Sequence, residues 1–86
     1  MDYRETGEIL KVIAHPARLK ILYGLLRNEC DVNGIVKKLG LPQSTISQHL
    51  GLLRNKGIIK PRKEGVRTCY SVENLKVREI LRVLKK

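Results

Sequence analysis

Apolar residues recur at helical spacing along most of this chain and at strand spacing near residue 60. Ile9, Leu10, Val12 and Ile13 predict a first helix over about Arg4 to Ala14. Pro16 opens a second, because proline is favoured in the first turn, where its missing N–H costs nothing. Leu19, Ile21, Leu22, Leu25 and Leu26 give that helix a broad apolar stripe ending near Asn28, ahead of a short extended piece, Cys30 to Val32. Asn33 is placed to cap a third, short helix through Leu39, which Gly40 closes. Pro42 opens a fourth, with Ile46, Leu50 and Leu53 on one face and its end at Gly57. Ile58–Lys63 and Val66–Val72 read as strands around a turn at Glu64-Gly65, and Pro61 confines the hairpin to a sheet edge. A last helix runs from about Glu73 to Lys85.

These elements define a mostly α fold with a small β-hairpin, in the order α-α-β-α-α-β-β-α. A helix pair joined by a tight glycine-containing turn and followed by a hairpin is the outline of a winged helix-turn-helix. With 86 residues the chain forms one domain, residues 1–86, at the marginal end of stability. The terminal helices (about 4–14 and 73–85) carry apolar faces too wide for one such chain to bury. Ile9, Leu10 and Ile13 on the first, with Leu75, Ile80, Leu81 and Leu84 on the last, are therefore expected to form a homodimer interface. The peptide Gly-Leu-Leu-Arg-Asn occurs at 24–28 and 51–55, but nothing around the copies repeats.

Charge then changes the picture. Eighteen Lys and Arg against eight Asp and Glu give a formal net charge of +10, which favours polyanionic partners. No acidic residue lies between Asp31 and Glu64, a stretch carrying Lys37, Lys38, Arg54, Lys56, Lys60, Arg62 and Lys63. Within it the fourth helix presents Gln43, Ser44, Thr45, Ser47 and Gln48 outward, uncharged side chains suited to base edges of double-stranded DNA. The hairpin adds Lys60, Arg62, Lys63 and Arg67 around Gly65, placed for a flanking groove or the phosphates, with Lys37, Lys38, Arg54 and Lys56 on phosphates beside the reading helix. The chain has no Phe or Trp, so it lacks a stacking platform for unpaired bases. No nucleophile–base pair, paired carboxylates or glycine-rich phosphate loop is recognisable, which argues against an enzyme. The apolar runs are too short to span a membrane and the N-terminus lacks a signal-peptide core, so a cytoplasmic protein is expected. A nonspecific, architectural DNA-binding protein is the alternative reading of the same surface.

Three motifs in order resemble the ArsR family of repressors: Val12-Ile13-Ala14-His15-Pro16-Ala17-Arg18-Leu19-Lys20-Ile21-Leu22, then Leu39-Gly40-Leu41-Pro42-Gln43-Ser44-Thr45-Ile46-Ser47-Gln48-His49-Leu50, then Ile58 to Gly65 with Tyr70 beyond. The resemblance covers roughly residues 9 to 75. It implies a homodimeric transcriptional repressor on an inverted-repeat operator, with the first and last helices as dimer interface and release by a metal, oxidant or other signal. The family's familiar metal positions are not filled. Asp31-Val32-Asn33 stands where relatives have a Cys-x-Cys pair, and Asn74 and Lys76 where others have Asp and His, so no metal or other cofactor is expected and the inducer is unspecified. His15 is placed to cap the second helix, and His49 to pack beside the reading helix.

Cys30 and Cys69 leave three readings open: structural thiols, a redox pair, or a metal pair. A short strand at Cys30–Val32 would pair with the hairpin's second strand and bring the two together. Strand alternation opposes this, since Tyr70 and Val72 facing inward turn Cys69 outward while Cys30 and Val32 share the inward face.

Overall fold

A computed structural model describes residues 1–85. Five helices and one hairpin follow in the order α1 (Tyr3–Ile13), α2 (Pro16–Arg27), α3 (Val32–Leu39), α4 (Gln43–Asn55), β1 (Ile59–Glu64), β2 (Arg67–Val72) and α5 (Leu75–Leu84). Local chemistry sets most boundaries. The Asp2 carboxylate accepts from the Glu5 N–H at the start of α1, and the Asn74 side chain accepts from the Val77 N–H at the start of α5. His15 Nδ1 accepts from the Ala17 N–H, so His15 caps α2 as its position before Pro16 predicts. Gly40 closes α3 at φ 64°, in the left-handed region that glycine enters without a Cβ penalty.

Helix α2 is the spine. Its Ile21, Leu22 and Leu25 are buried with Val12 and Ile13 of α1, Leu53 of α4, Ile58, Ile59 and Val72 of the hairpin, and Val77 and Leu81 of α5. Gly24 brings α3 close, since a Cβ there would stand 2.7 Å from the Ile35 side chain.

Several expectations shift. The extended piece at Cys30–Val32 does not form, so the order is α-α-α-α-β-β-α. Asn28 instead builds a turn, its side-chain oxygen accepting from the Cys30 N–H and its carbonyl from the Asp31 N–H. The Asp31 carbonyl already accepts from the Ile35 N–H, which starts α3 at Val32 and puts Asn33 inside it. A single bond survives of the expected pairing, from the Tyr70 N–H to the Glu29 carbonyl at 2.8 Å. Pro42 is the residue before α4 rather than its first. The hairpin turn is Gly65-Val66, one residue later than expected, with Gly65 at φ 63° and Glu64 paired with Arg67. Both strands of this two-stranded sheet are edges, which accommodates Pro61 opposite Tyr70.

The terminal helices divide differently from their apolar pattern. Ile13 and Leu81 are buried in the chain's own core and are not free to meet a partner. Leu10, Leu75 and Leu84 are exposed, Ile9 and Ile80 half-buried, and a groove of about 430 Å³ runs between α1 and α5 over Ile9, Leu10, Leu75 and Ile80. No helix among the described residues is long and apolar enough to cross a membrane.

Candidate nucleic-acid interface

The turn from Gly40 to Pro42 delivers α4 with its N-terminus open. Pro42 offers no capping side chain, and the first intrahelical bond is the Ile46 N–H to the Pro42 carbonyl. The N–H groups of the preceding turn therefore remain free, a helix end suited to a phosphate. Burial of Ile46, His49 and Leu53 fixes the helix's rotation. Gln43, Ser44, Ser47 and Gln48 then face solvent, with Thr45 half-exposed at the edge of the same surface.

Cations flank this uncharged face. Lys37 and Lys38 close the last turn of α3, Arg54 that of α4, and Lys60, Lys63 and Arg67 line the hairpin, all exposed. None of them has an ion-pair partner among the described residues. Two expected phosphate ligands are otherwise engaged. Lys56 Nζ lies 2.7 Å from a Glu8 carboxylate oxygen, and Arg62 is paired with Glu29 and more loosely with Glu64. The guanidinium–carboxylate hydrogen bond raises the Arg62 pKa further, and the Lys56 bond lowers that of Glu8. Glu8 comes from α1 and Glu29 from the α2–α3 turn, so periodicity carries no signal for these two partners.

The hairpin is bonded to the start of the reading unit. Cys30 and Cys69 form a disulfide, with Cα atoms 4.2 Å apart and 39 residues of separation. Cys69 therefore points inward and is fully buried, while Tyr70 is half-exposed, the reverse of the alternation expected. Alternation presumes one buried face. This ribbon instead meets α5 and α2 at Val72 and the α2–α3 turn at Cys69, so residues of either parity find cover. Cys30, Cys69 and Glu64 form the one cluster of three possible metal-ligand side chains among the described residues, and both its sulfurs are consumed by the bond.

His49 lies on the buried side of the reading helix itself, its ring 4.7 Å from that of His15. Its Nδ1 has no hydrogen-bond partner among the described residues. Burial, and then the charges of His15 and Arg18, lower its pKa below the ordinary value. The folded state thus favours neutral His49. The stability this contributes is complete above the unfolded pKa of about 6.5 and is lost as pH falls from there through the lower folded value. Denaturant midpoints measured from pH 7.5 to 5 should decline in the wild type and decline less in His49→Leu; parallel declines would refute this account.

A helix-turn-helix whose second helix presents a polar face, with a basic hairpin beside it, defines a winged helix-turn-helix protein. The family described as "Bacterial regulatory protein, arsR family" matches residues 15–60. The transcriptional repressor PagR of Bacillus anthracis is 41% identical over 98% of this chain and 85% of its own length. Its crystal structure superposes with a TM-score of 0.82, covering 98% of this chain and 97% of that one. Reduced HlyU from Vibrio cholerae has a TM-score of 0.85 at 35% identity, over 96% and 87% of the two chains. A homodimeric winged helix-turn-helix DNA-binding domain from Mycobacterium bovis, described as a possible ArsR-family transcriptional regulator, has a TM-score of 0.80 at 26% identity, over 96% and 77%. The chain belongs to the arsR family of bacterial regulatory proteins.

Proposed function

We propose that this chain is a cytoplasmic, homodimeric, sequence-specific double-stranded DNA-binding repressor of an inverted-repeat operator, a regulator with no catalytic role. The observation that carries the reading is the uncharged, exposed face at the start of α4, set between unpaired cations of α3 and the wing. Gln43, Ser44, Thr45, Ser47 and Gln48 read base edges; Lys37, Lys38, Arg54, Lys63 and Arg67 hold phosphates. Two copies meet through Ile9, Leu10, Leu75, Ile80 and Leu84, which covers the exposed leucines and sets the reading helices roughly 34 Å apart, one DNA turn. The repressor sense is supported by the likeness to PagR.

Selection of bound duplexes from a random pool tests this directly, with an inverted repeat as the expected result. On the selected site Gln43→Ala or Ser44→Ala should cost about 1–3 kcal/mol, with little change on random DNA. Lys63→Ala or Arg67→Ala should weaken both alike. A pool that yields no preferred sequence would replace this reading with that of a nonspecific DNA-binding protein.

A further inference from the structure

Helices α2 and α3 bound a furrow whose chemistry follows from helical spacing. Lys20, Tyr23, Gly24 and Arg27 share one stripe of α2, with a cation at each end. Ile35, Lys38 and Leu39 share a stripe of α3 that begins at its cap, Asp31. Both stripes line a cavity of about 470 Å³, to which Lys85 at the end of α5 contributes from a third side. Because Gly24 has no side chain, Ile35 settles directly onto α2, and with half-buried Tyr23 and Leu39 it gives the cavity an apolar lining. The Tyr23 hydroxyl is already spent on the Leu81 carbonyl, and its ring lies 4.9 Å from Lys85 Nζ.

Charge says what such a cavity would hold. Lys20, Arg27, Lys38 and Lys85 are all exposed, and none has an ion-pair partner among the described residues. Asp31 is the single acid among the described residues that line the cavity. Its carboxylate lies against Gly34 in the first turn of α3 and pairs with none of the four cations. An apolar lining under an excess of unpaired positive charge is complementary to a hydrocarbon body with an acidic head. We propose that this cavity binds a small organic acid, a carboxylate on an aliphatic or aromatic body, and that its occupation weakens the hold on DNA.

The consequence for regulation rests on the DNA-binding reading above. The cavity shares no lining residue with the α1–α5 groove assigned there to the dimer, so the two surfaces are separate. It does share Lys38 with the residues assigned to phosphate. A carboxylate drawn to Lys38 withdraws that cation from DNA. The apolar body meanwhile lies against Ile35, at the contact that seats α3, the helix before the reader, on Gly24 of α2. The coupling is reciprocal: DNA lowers the affinity for the acid by the factor that the acid takes from the affinity for DNA.

The test titrates the full chain with octanoate and naphthoate, using octanamide as the neutral counterpart and acetate as the head alone. Backbone amide NMR shifts, recorded without DNA, locate the site. At least one of the two acids should saturate with a Kd at or below about 1 mM and move the amides of Tyr23, Gly24, Ile35 and Leu39. Octanoate should bind about tenfold or more tighter than octanamide, and Lys20→Gln with Arg27→Gln should remove about tenfold of its affinity. Saturation by neither acid, equal affinity for octanoate and octanamide, or shifts centred on Ile9, Leu10, Leu75 and Ile80 would overturn the site. So would unchanged octanoate affinity in the double variant; should that variant not fold, the wild-type titrations decide alone. On the selected duplex, saturating octanoate should lower affinity about fivefold or more relative to acetate at equal ionic strength. The double variant should bind that duplex within about twofold of the wild type and lose the response to octanoate. Undiminished duplex affinity would sink the regulatory role, and a loss in the double variant as large as in Lys63→Ala would assign these cations to DNA instead. If the chain binds no DNA, the function reading fails, while the acid site is still judged on the NMR titrations.

Discussion

Reduction of the Cys30–Cys69 bond is expected to lower the stability of this domain by about 4 kcal/mol. The bond spans 39 residues, and closing a loop of that length removes roughly this much free energy of disorder from the unfolded chain. At about 4–8 °C per kcal/mol for a domain of this size, the melting temperature should fall by roughly 15–30 °C. Domains this small have about 5 kcal/mol or little more in hand, so the reduced monomer would keep about 1 kcal/mol, with roughly 15% of molecules unfolded at room temperature. Guanidinium titrations with and without reductant measure the effect. The double replacement Cys30→Ala with Cys69→Ala should match the reduced wild type. A difference below about 1 kcal/mol would show that the unfolded chain is already restricted.

The second large effect is on DNA affinity. Neutralising roughly 6–10 phosphates weakens binding about 10³- to 10⁵-fold between 50 and 200 mM salt. In the proposed dimer, Lys37, Lys38, Arg54, Lys63 and Arg67, unpaired among the described residues, would supply about that many phosphate ligands from the two copies. Ion pairing sorts the contributors. Replacing Lys63 should reduce the slope of log affinity against log salt by about 1 for each phosphate left without its cation. Replacing Lys56, tied to Glu8, should leave the slope close to its original value. Fluorescence anisotropy on one duplex across the salt range reads both, and a larger change from Lys56→Ala than from Lys63→Ala would reverse the assignment.

Helix existence is legible in the sequence because the apolar period is strong and the punctuation unambiguous: His15-Pro16 starts α2 and Gly40 ends α3, as their positions imply. The α2–α3 turn departs from the expected strand because Asn28 and Asp31 divert the backbone into local hydrogen bonds that an extended segment lacks. Cys69 takes the face opposite to the expected one because it is bonded to Cys30 of the α2–α3 turn, while Val72 nearer the core is buried as expected. Ile13 and Leu81 resemble interface residues because periodicity marks an apolar face without telling which part of it the chain buries itself. The uncharged face of α4 is the clearest local signal, since the packing of Ile46, His49 and Leu53 decides which side chains turn outward. The hydrogen bonds that engage Lys56 and Arg62 reach Glu8 and Glu29, more than thirty residues away and beyond any local pattern.

Tyr23 donates its hydroxyl to the Leu81 carbonyl at 2.7 Å, at the C-terminal end of α5. That bond pins one of the proposed dimer-forming helices to the spine helix, whose other side is locked to α3 where Ile35 sits on Gly24. The proposed dimer helix α5 is thus tied through α2 to α3, the helix that precedes the reader. A dimer so connected is expected to act as a calliper set to one gauge. It should tolerate a changed base within a half-site better than a single base pair added between the half-sites, because spacing errors have nowhere to be absorbed.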